Sequence, residues 1–555
     1  MKLQAVSTLT LIAVGALLPA LAGAQAVPDA GTFIRELETA PDVAPERSDV
    51  TRLEVPDAPE SAPAEGGPAM QVNGFSVTGN NAFTSPTLEG LLSDLEGTQL
   101  TLGELQQAAG RITQYYRERG YFLSRAYLPE QDVTGGIVTI AVLEGRLGEV
   151  NITNQSRTRD FVIERPLKKL KPGQMLTARD FETPLLRLND LPGIEASTTL
   201  APGEDIGTSD LNVQVTPGPL VQGTVELDNY GSVYTGEYRL GASLRVNSPF
   251  GLGDRFDLRA LGSDEEQLFF RAQYAVPVGP WATELGAAYS EMSYELGDEF
   301  AEIGATGEAQ ITTAFVRQSL IRTRQQNLDV QLQYDSKDLE DQIEQFGSTS
   351  TKSSELFTVT VSGDTRDSFA GGGLTRYALA YTHGDLTLDS YLDQFIDGMT
   401  GQTAGSFNRW TPSIMRLQNL GGNWSLYAQL HGQIASKNLD SSEKFSLGGA
   451  YGVRAYPQSE ASGDQGWMAN MEVRYDISRQ WQVFGLLDHG EVERNKNPWD
   501  AAVENDRTLT GAGIGTRWNY GPFNINATLA APIGSEESTI DDSDVRLFVK
   551  AVFSF

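Results

Sequence analysis

From Leu220 to Phe555 apolar and polar residues alternate in runs of about ten, separated by turn-forming residues, and no helical period interrupts them. A period of two is the period of a strand, whose side chains point alternately to opposite faces. In the last run Val545, Leu547, Val549, Ala551, Phe553 and Phe555 form one face, and Arg546, Phe548, Lys550, Val552 and Ser554 the other. Tyr238, Leu240, Ala242, Leu244 and Val246 oppose Glu237, Arg239, Ser243 and Arg245 in the same way. So do Leu328, Val330, Leu332 and Tyr334 against Asp329, Gln331, Gln333 and Asp335, and Trp467, Ala469, Met471, Val473 and Tyr475 against Met468, Asn470, Glu472 and Arg474. A soluble sandwich and a membrane barrel both alternate like this. Two features favour the barrel. The runs number about sixteen, an even count, and short connections alternate with long polar ones. Pro277–Pro280, Asn419–Gly422, Ile477–Arg479 and Tyr520–Pro522 are short. Long loops are expected at Gly297–Gly307, Lys337–Thr351, Gly384–Gly405, Ala435–Gln465, Glu491–Arg507 and Gly534–Asp544. An even count also returns both barrel ends to the side that carries the preceding residues.

Residues 1–24 have the layout of a secretory signal peptide. Lys2 precedes an apolar stretch over Leu9–Leu21, followed by Ala22-Gly23-Ala24, with Ala24-Gln25-Ala26 as a second cleavage site. An N-terminal membrane anchor is the competing reading, disfavoured by the shortness of the run. No later stretch approaches the ~18 apolar residues of a membrane helix. In lipid every backbone polar group must be paired, so a membrane-embedded form of this chain has to be a closed barrel. The net charge of −31 repels phosphate backbones and disfavours nucleic acid. The absence of cysteine rules out disulfides, thiolate metal sites and a cysteine nucleophile.

Residues 25–70 are rich in Pro, Ala and acidic side chains, a linker composition. Within them Gly31–Thr39 sets Phe33, Ile34 and Leu37 at spacings that one helical face can collect, although disorder reads equally well there. Residues 71–145 then give a strand at Val72–Asn80, helices at Pro86–Leu95 and Leu102–Arg119, and strands at Phe122–Leu128 and Ile137–Leu143. Residues 146–219 repeat that order: strand Leu147–Ile152, helices Arg159–Leu170 and Ala178–Leu188, strands Ala196–Leu200 and Asp210–Val215. A repeat of about 75 residues predicts two copies of one small α+β domain. The barrel occupies residues 220–555.

Catalytic chemistry finds little support. His383, His431 and His489 have no partner at a motif spacing, and no nucleophile elbow, phosphate loop or zinc-binding H-E-x-x-H is present. His431 falls on a polar strand face with Ser425, Gln429 and Gln433, where it reads as a wetted lumen residue. Gly511-Ala512-Gly513-Ile514-Gly515 has no helix after it, so it reads as small residues in a strand rather than a nucleotide loop. The segment Phe445–Pro457 is Gly-rich and aromatic and carries a single Arg454, unlike the acidic loops around it. If Trp481, Val483, Gly485 and Leu487 face lipid, Asp488 faces the lumen. It can then hold Arg454 from an inward-folded loop in a charge-assisted, bidentate pair. A solvated Arg454 and a wetted Asp488 are the alternative.

Taken in order, several segments resemble the haemolysin secretion/activation family of two-partner secretion transporters. Val453-Arg454-Ala455-Tyr456 is similar to its V-R-G-Y loop motif, and Leu486-Leu487-Asp488-His489-Gly490 to its F-x-D-x-G strand motif. Leu188–Gly193 and Ser209–Val213 resemble its second periplasmic domain, Gly251–Asp254 its first periplasmic turn, and Phe555 the terminal residue read by the barrel-assembly machinery. The resemblance implies a mainly β fold: two polypeptide-transport-associated (POTRA) domains, then a sixteen-stranded transmembrane antiparallel barrel. It also implies an N-terminal plug helix, for which Gly31–Thr39 is the available segment. The expected partners are a large exoprotein of adhesin, haemolysin or toxin type, the barrel-assembly machinery, periplasmic chaperones and outer-membrane lipid. No cofactor, metal or nucleotide is expected. Ala455 and Leu486 depart from the motifs, and a methyl at 455 disfavours a backbone with φ > 0. A barrel-assembly factor, a passive porin and a barrel hydrolase are the competing readings.

Overall fold

A computed structural model describes residues 27–39, 53–54, 68–133, 135–281 and 283–555, so the expected signal peptide lies outside the described residues. Sixteen antiparallel strands, from Val221–Asp228 to Arg546–Ser554, form a closed barrel. The last strand returns to the first by pairing Lys550–Ser554 with Asp228–Thr224. The alternation read in the sequence sorts the side chains inside out. Leu240, Leu332, Trp467, Leu487 and Leu547 are exposed on the outer wall, while Asp335, Glu472 and Asp488 are buried within. A soluble sandwich would bury the apolar face instead; this polarity belongs to lipid outside and a polar lumen. Phe555 completes the seam. Its amide donates to the Gly223 carbonyl and its carbonyl accepts from the Gly223 amide, both at 2.9 Å.

The outer connections differ from expectation at two places. Lys337–Thr351 is not a loop. The strands Gln326–Ile343 and Ser348–Asp367 run through it and turn at Glu344–Phe346, making one long hairpin. Its charged residues look polar enough for a loop, but Lys337, Leu339 and Lys352 are buried on its inner face, and that burial keeps the ladder intact. The other exception is a helix in the Gly384–Gly405 region, Tyr391–Met399, where only strands and loops were expected. Ser390 caps it, accepting hydrogen bonds from the amides of Leu392 and Asp393.

Two small domains precede the barrel, and the predicted repeat is visible in their topology. In the first, the strand Gly74–Thr78 pairs parallel with Ile137–Leu143, which pairs antiparallel with Arg125–Tyr127. In the second, Arg146–Asn154 pairs parallel with Thr208–Pro217, which pairs antiparallel with Ile194–Pro202. Each sheet carries helices: Ser85–Glu89 and Leu102–Glu118 in the first domain, Asp160–Leu167 and Ala178–Asn189 in the second. Thr101 and Glu104, and Thr177 and Asp180, form reciprocal capping boxes that start the longer helix of each domain. The strand expected at Phe122–Leu128 shrinks to Arg125–Tyr127. Phe122 and Leu123 instead pack against the core of the second domain, so interdomain burial overrides their strand propensity. The helix expected at Pro86–Leu95 becomes an α-turn that passes into a 3-10 turn over Gly90–Leu95.

The second domain sits on the periplasmic turns of the barrel. The Asp190 carboxylate accepts two hydrogen bonds from Arg322, at 2.7 and 2.8 Å. Arg187 donates to the Ser319 carbonyl, Thr158 and Ser248 share a hydroxyl hydrogen bond, and the Arg159 amide donates to the Gly251 carbonyl. Asp254, fully buried, holds that turn by accepting from the amides of Phe250 and Leu252 and from the Tyr274 hydroxyl. The Leu188–Gly193 and Gly251–Asp254 segments therefore meet at one joint.

Candidate functional site

The lumen is filled from two directions. From the outer side, the long connection between Trp424–Ala435 and Gln465–Asp476 folds inward, carrying Val453-Arg454-Ala455-Tyr456 to the wall. Val453 and Tyr456 are fully buried, in a cluster with Leu447, Met468, Phe484, Leu486 and Leu509. The Arg454 fork meets Asp488 on the strand Trp481–Glu493. Its Nε and Nη2 each donate at 2.8 Å to a different carboxylate oxygen, and its backbone amide adds a third bond at 3.1 Å. Asp488 is completely buried, so the solvated alternative does not describe this pair. Its register explains the placement. Trp481 and Leu487 are exposed on the lipid face, and Asp488, one residue on, points inward.

Four further residues, Glu472, Arg474, Arg517 and Asn470, complete the site. Arg454 Nη1 donates to Glu472 at 2.5 Å, and Glu472 also receives Arg474 at 2.8 Å and Arg517 at 2.9 Å. The Asn470 amide group donates to Asp488 at 2.8 Å and to the Gly452 carbonyl at 2.9 Å, binding wall and loop together. Sequence reasoning placed Asn470, Glu472 and Arg474 on one polar strand face but did not connect them to Arg454. The connection was detectable in principle, because that strand and the Asp488 strand are neighbours and Asn470 lies opposite Asp488. Gly490 also lies in the seat, where a Cβ would fall 2.7 Å from a Leu447 methyl. Tyr456 donates its hydroxyl to the Glu536 carbonyl at 2.9 Å. Ala455 is not among the residues with positive φ, so its methyl causes no left-handed strain.

Further out, the same loop is pinned at Glu460. That carboxylate accepts from Arg507, Ser538 and both the amide and hydroxyl of Thr539. It is pinned again at Glu443, which pairs with Lys337 and Arg409.

The second occupant of the lumen is the helix Ala30–Thr39. Asp29 caps it, accepting from the Thr32 amide at 3.0 Å. Phe33, Ile34 and Leu37 are buried against Leu261, Phe269, Met292, Tyr294 and Ile311 of the barrel wall. Disorder is thus not the state of this segment; an apolar patch inside an otherwise polar lumen stabilises the helix. Its polar side binds the wall and the inward loop. Asp29 pairs with Lys352 at 2.7 Å, Arg35 donates to the carbonyls of Ser441 and Lys444, Ser459 donates to Glu36, and Arg271 meets Glu38. Between this helix and the first small domain, Leu53–Glu54 forms a parallel strand on the free edge of the second domain's sheet, opposite Thr198 and Thr199.

A closed sixteen-stranded barrel with an arm of two small domains and a lumen filled by chain defines an outer-membrane transporter whose arm lies in the periplasm. Residues 207–518 match the model of the haemolysin secretion/activation protein ShlB/FhaC/HecB, and residues 70–145 match the ShlB-type POTRA domain. The chain belongs to this family of two-partner secretion transporters. It is 27% identical to the heme/hemopexin transporter protein HuxB of Haemophilus influenzae (strain 86-028NP), over 84% of each chain. It is 24% identical to the outer membrane transporter CdiB of Dickeya dadantii, over 81% of this chain and 83% of that one. The structure of CdiB from Escherichia coli superposes with a TM-score of 0.71 at 20% identity, covering 96% of this chain and 100% of that one. BamA from Haemophilus ducreyi lacking POTRA domains 1–3 shares the fold at a TM-score of 0.53 and 14% identity.

Proposed function

We propose that the chain at rest is a closed conduit, and that an unfolded exoprotein opens it by competing for contacts the chain makes with itself. The observation that carries this reading is the helix Ala30–Thr39 inside the lumen, tethered to the arm by the segment that includes Leu53–Glu54. Leu53–Glu54 occupies the sheet edge at which an extended segment of exoprotein would add as a strand, a largely sequence-tolerant mode of recognition. An exoprotein strand that displaces it pulls on the tether and withdraws the helix.

The Arg454–Asp488 pair holds the inward loop against the wall while the helix leaves. The two lumen occupants are held differently. The loop tip rests on a buried carboxylate and a three-arginine cluster around Glu472, whereas the helix rests on one apolar stripe and on polar contacts along its length at Asp29, Arg35, Glu36 and Glu38. No nucleotide enters this scheme; folding of the exoprotein outside supplies the direction. Phe555 at the seam is the residue read by the barrel-assembly machinery, and chaperones deliver both this chain and its exoprotein in unfolded form. The exoprotein is of adhesin, haemolysin or toxin type, and the chain performs no catalysis.

Co-expression with a candidate exoprotein encoded beside this chain tests the reading. Exoprotein is expected in the medium only when the chain is present. Equal export without it, or export of unrelated periplasmic proteins, contradicts the proposal.

A further inference from the structure

The lock contains a position whose side chain is missing for a reason. Gly511 lies on the strand Asp506–Tyr520, directly opposite Asp488 in the ladder. Cross-strand partners share a face, so a side chain at 511 would stand beside the carboxylate that receives Arg454. Gly511 is not among the glycines with positive φ, so its backbone conformation does not call for glycine. Space does. A Cβ built on Gly511 would fall 2.4 Å from the Ala455 Cβ and 3.3 Å from the Ala455 amide nitrogen.

Ala455 has nowhere to go. It is buried, and its neighbours are both fixed: Arg454 by three bonds to Asp488, Tyr456 by burial and by its bond to the Glu536 carbonyl. The clashing atom is a Cβ attached directly to backbone, not the end of a flexible side chain that can rotate away. At Gly490 a Cβ would instead meet the end of the Leu447 side chain at 2.7 Å and the Trp467 carbonyl at 3.0 Å. We infer that Gly511 and Ala455 form a steric pair that positions the loop tip for the Arg454–Asp488 contact. The two positions together accommodate one methyl group, carried here by the loop.

The inference rests on the lock described above, and its test is reciprocal. The chain has no cysteine, so Met468→Cys provides a single thiol on the buried wall under the loop tip. Full-length protein carrying it is treated with a membrane-impermeant maleimide, and barrel assembly is checked by heat-modifiable gel migration. Labelling should be slow in this parent. Gly511→Ala should speed it at least tenfold, and adding Ala455→Gly should return it to within about twofold of the parent. Should Gly511→Ala fail to assemble, Ala455→Val enlarges the same contact from the loop side with the wall unchanged, and should also speed labelling. Rapid labelling of the Gly511→Ala, Ala455→Gly double variant overturns the pair, as does slow labelling of the single enlarging variants. Arg454→Ala in the same background separates the two ideas. If it labels slowly the lock itself fails; if it labels fast while Gly511→Ala labels slowly, only the steric pair fails.

Discussion

At the scale of single residues, the central contact is a charge pair taken out of water. Removing one partner of such a pair leaves the other buried and uncompensated, a cost of about 3–5 kcal/mol. We expect Arg454→Ala and Asp488→Ala each to abolish exoprotein release while leaving the barrel assembled, with secreted protein and gel migration measured on the same cells. Arg454→Lys should fail too, because a point charge cannot reproduce two parallel bonds to one carboxylate. Normal release by these variants would remove the lock from the mechanism. In the first periplasmic domain Glu144 plays a structural part. Burial pushes its carboxyl up, but the amides of Ala82 and Asn81, the Tyr116 hydroxyl and the Asn81 side chain donate to it and leave it below its usual value. Burial and the same bond push the Tyr116 hydroxyl up. A carboxylate lowered in the folded state stabilises it fully above the ordinary value of 4.5, and that contribution disappears as pH falls through the folded value. Protection from hydrogen exchange over residues 70–145 in the full-length protein, taken relative to the intrinsic rate at each pH, should therefore fall on acidification. Glu144→Gln should already exchange faster at neutral pH and respond less to acid; an unchanged acid response would refute this.

At the scale of elements, the lumen helix is amphipathic by three residues. Phe33, Ile34 and Leu37 were legible as a face in the sequence, but a ten-residue helix is marginal in water on its own. The wall patch of Leu261, Phe269, Met292 and Ile311 decides that it forms, and these residues come from four successive strands that ladder pairing sets side by side. Deleting residues 30–39 should raise ion conductance in planar bilayers several-fold. Lys352→Ala, which removes the cation paired with Asp29, should give an intermediate, fluctuating pore. Conductance unchanged by the deletion would mean that the helix does not block the path. The linker strand supports a separate prediction. Leu53→Pro removes a backbone donor from Leu53–Glu54, and should increase the binding of an exoprotein segment to the arm in a pull-down with purified protein. Equal binding would argue that the edge at Thr198–Thr199 is not the one used.

At the scale of the whole molecule, the second domain is fastened to the barrel at one joint. Arg322 is buried and Asp190 half-exposed, and their bidentate pair clamps the second domain to a periplasmic turn. Asp190→Ala should loosen that joint, seen as faster hydrogen exchange over Ser319–Gln326, and lower secretion without preventing assembly. What a reader of the sequence alone can establish here is periodic. Alternation specified strands, their outer and inner faces, the position of Asp488 and the repeated order of the arm, because each follows from local spacing along the backbone. Charge density misled at Lys337–Thr351, where a polar-looking segment stays in strand because its inner face is buried. Asn470, Glu472 and Arg517 joined the Arg454 site only in the folded molecule, as did Gly511 against Ala455 and Leu53–Glu54 against Thr198–Thr199. Those contacts join residues distant in the chain. No local period encodes them, and they exist only once distant segments pair, in the arm's sheet as in the barrel, and the loop enters the lumen.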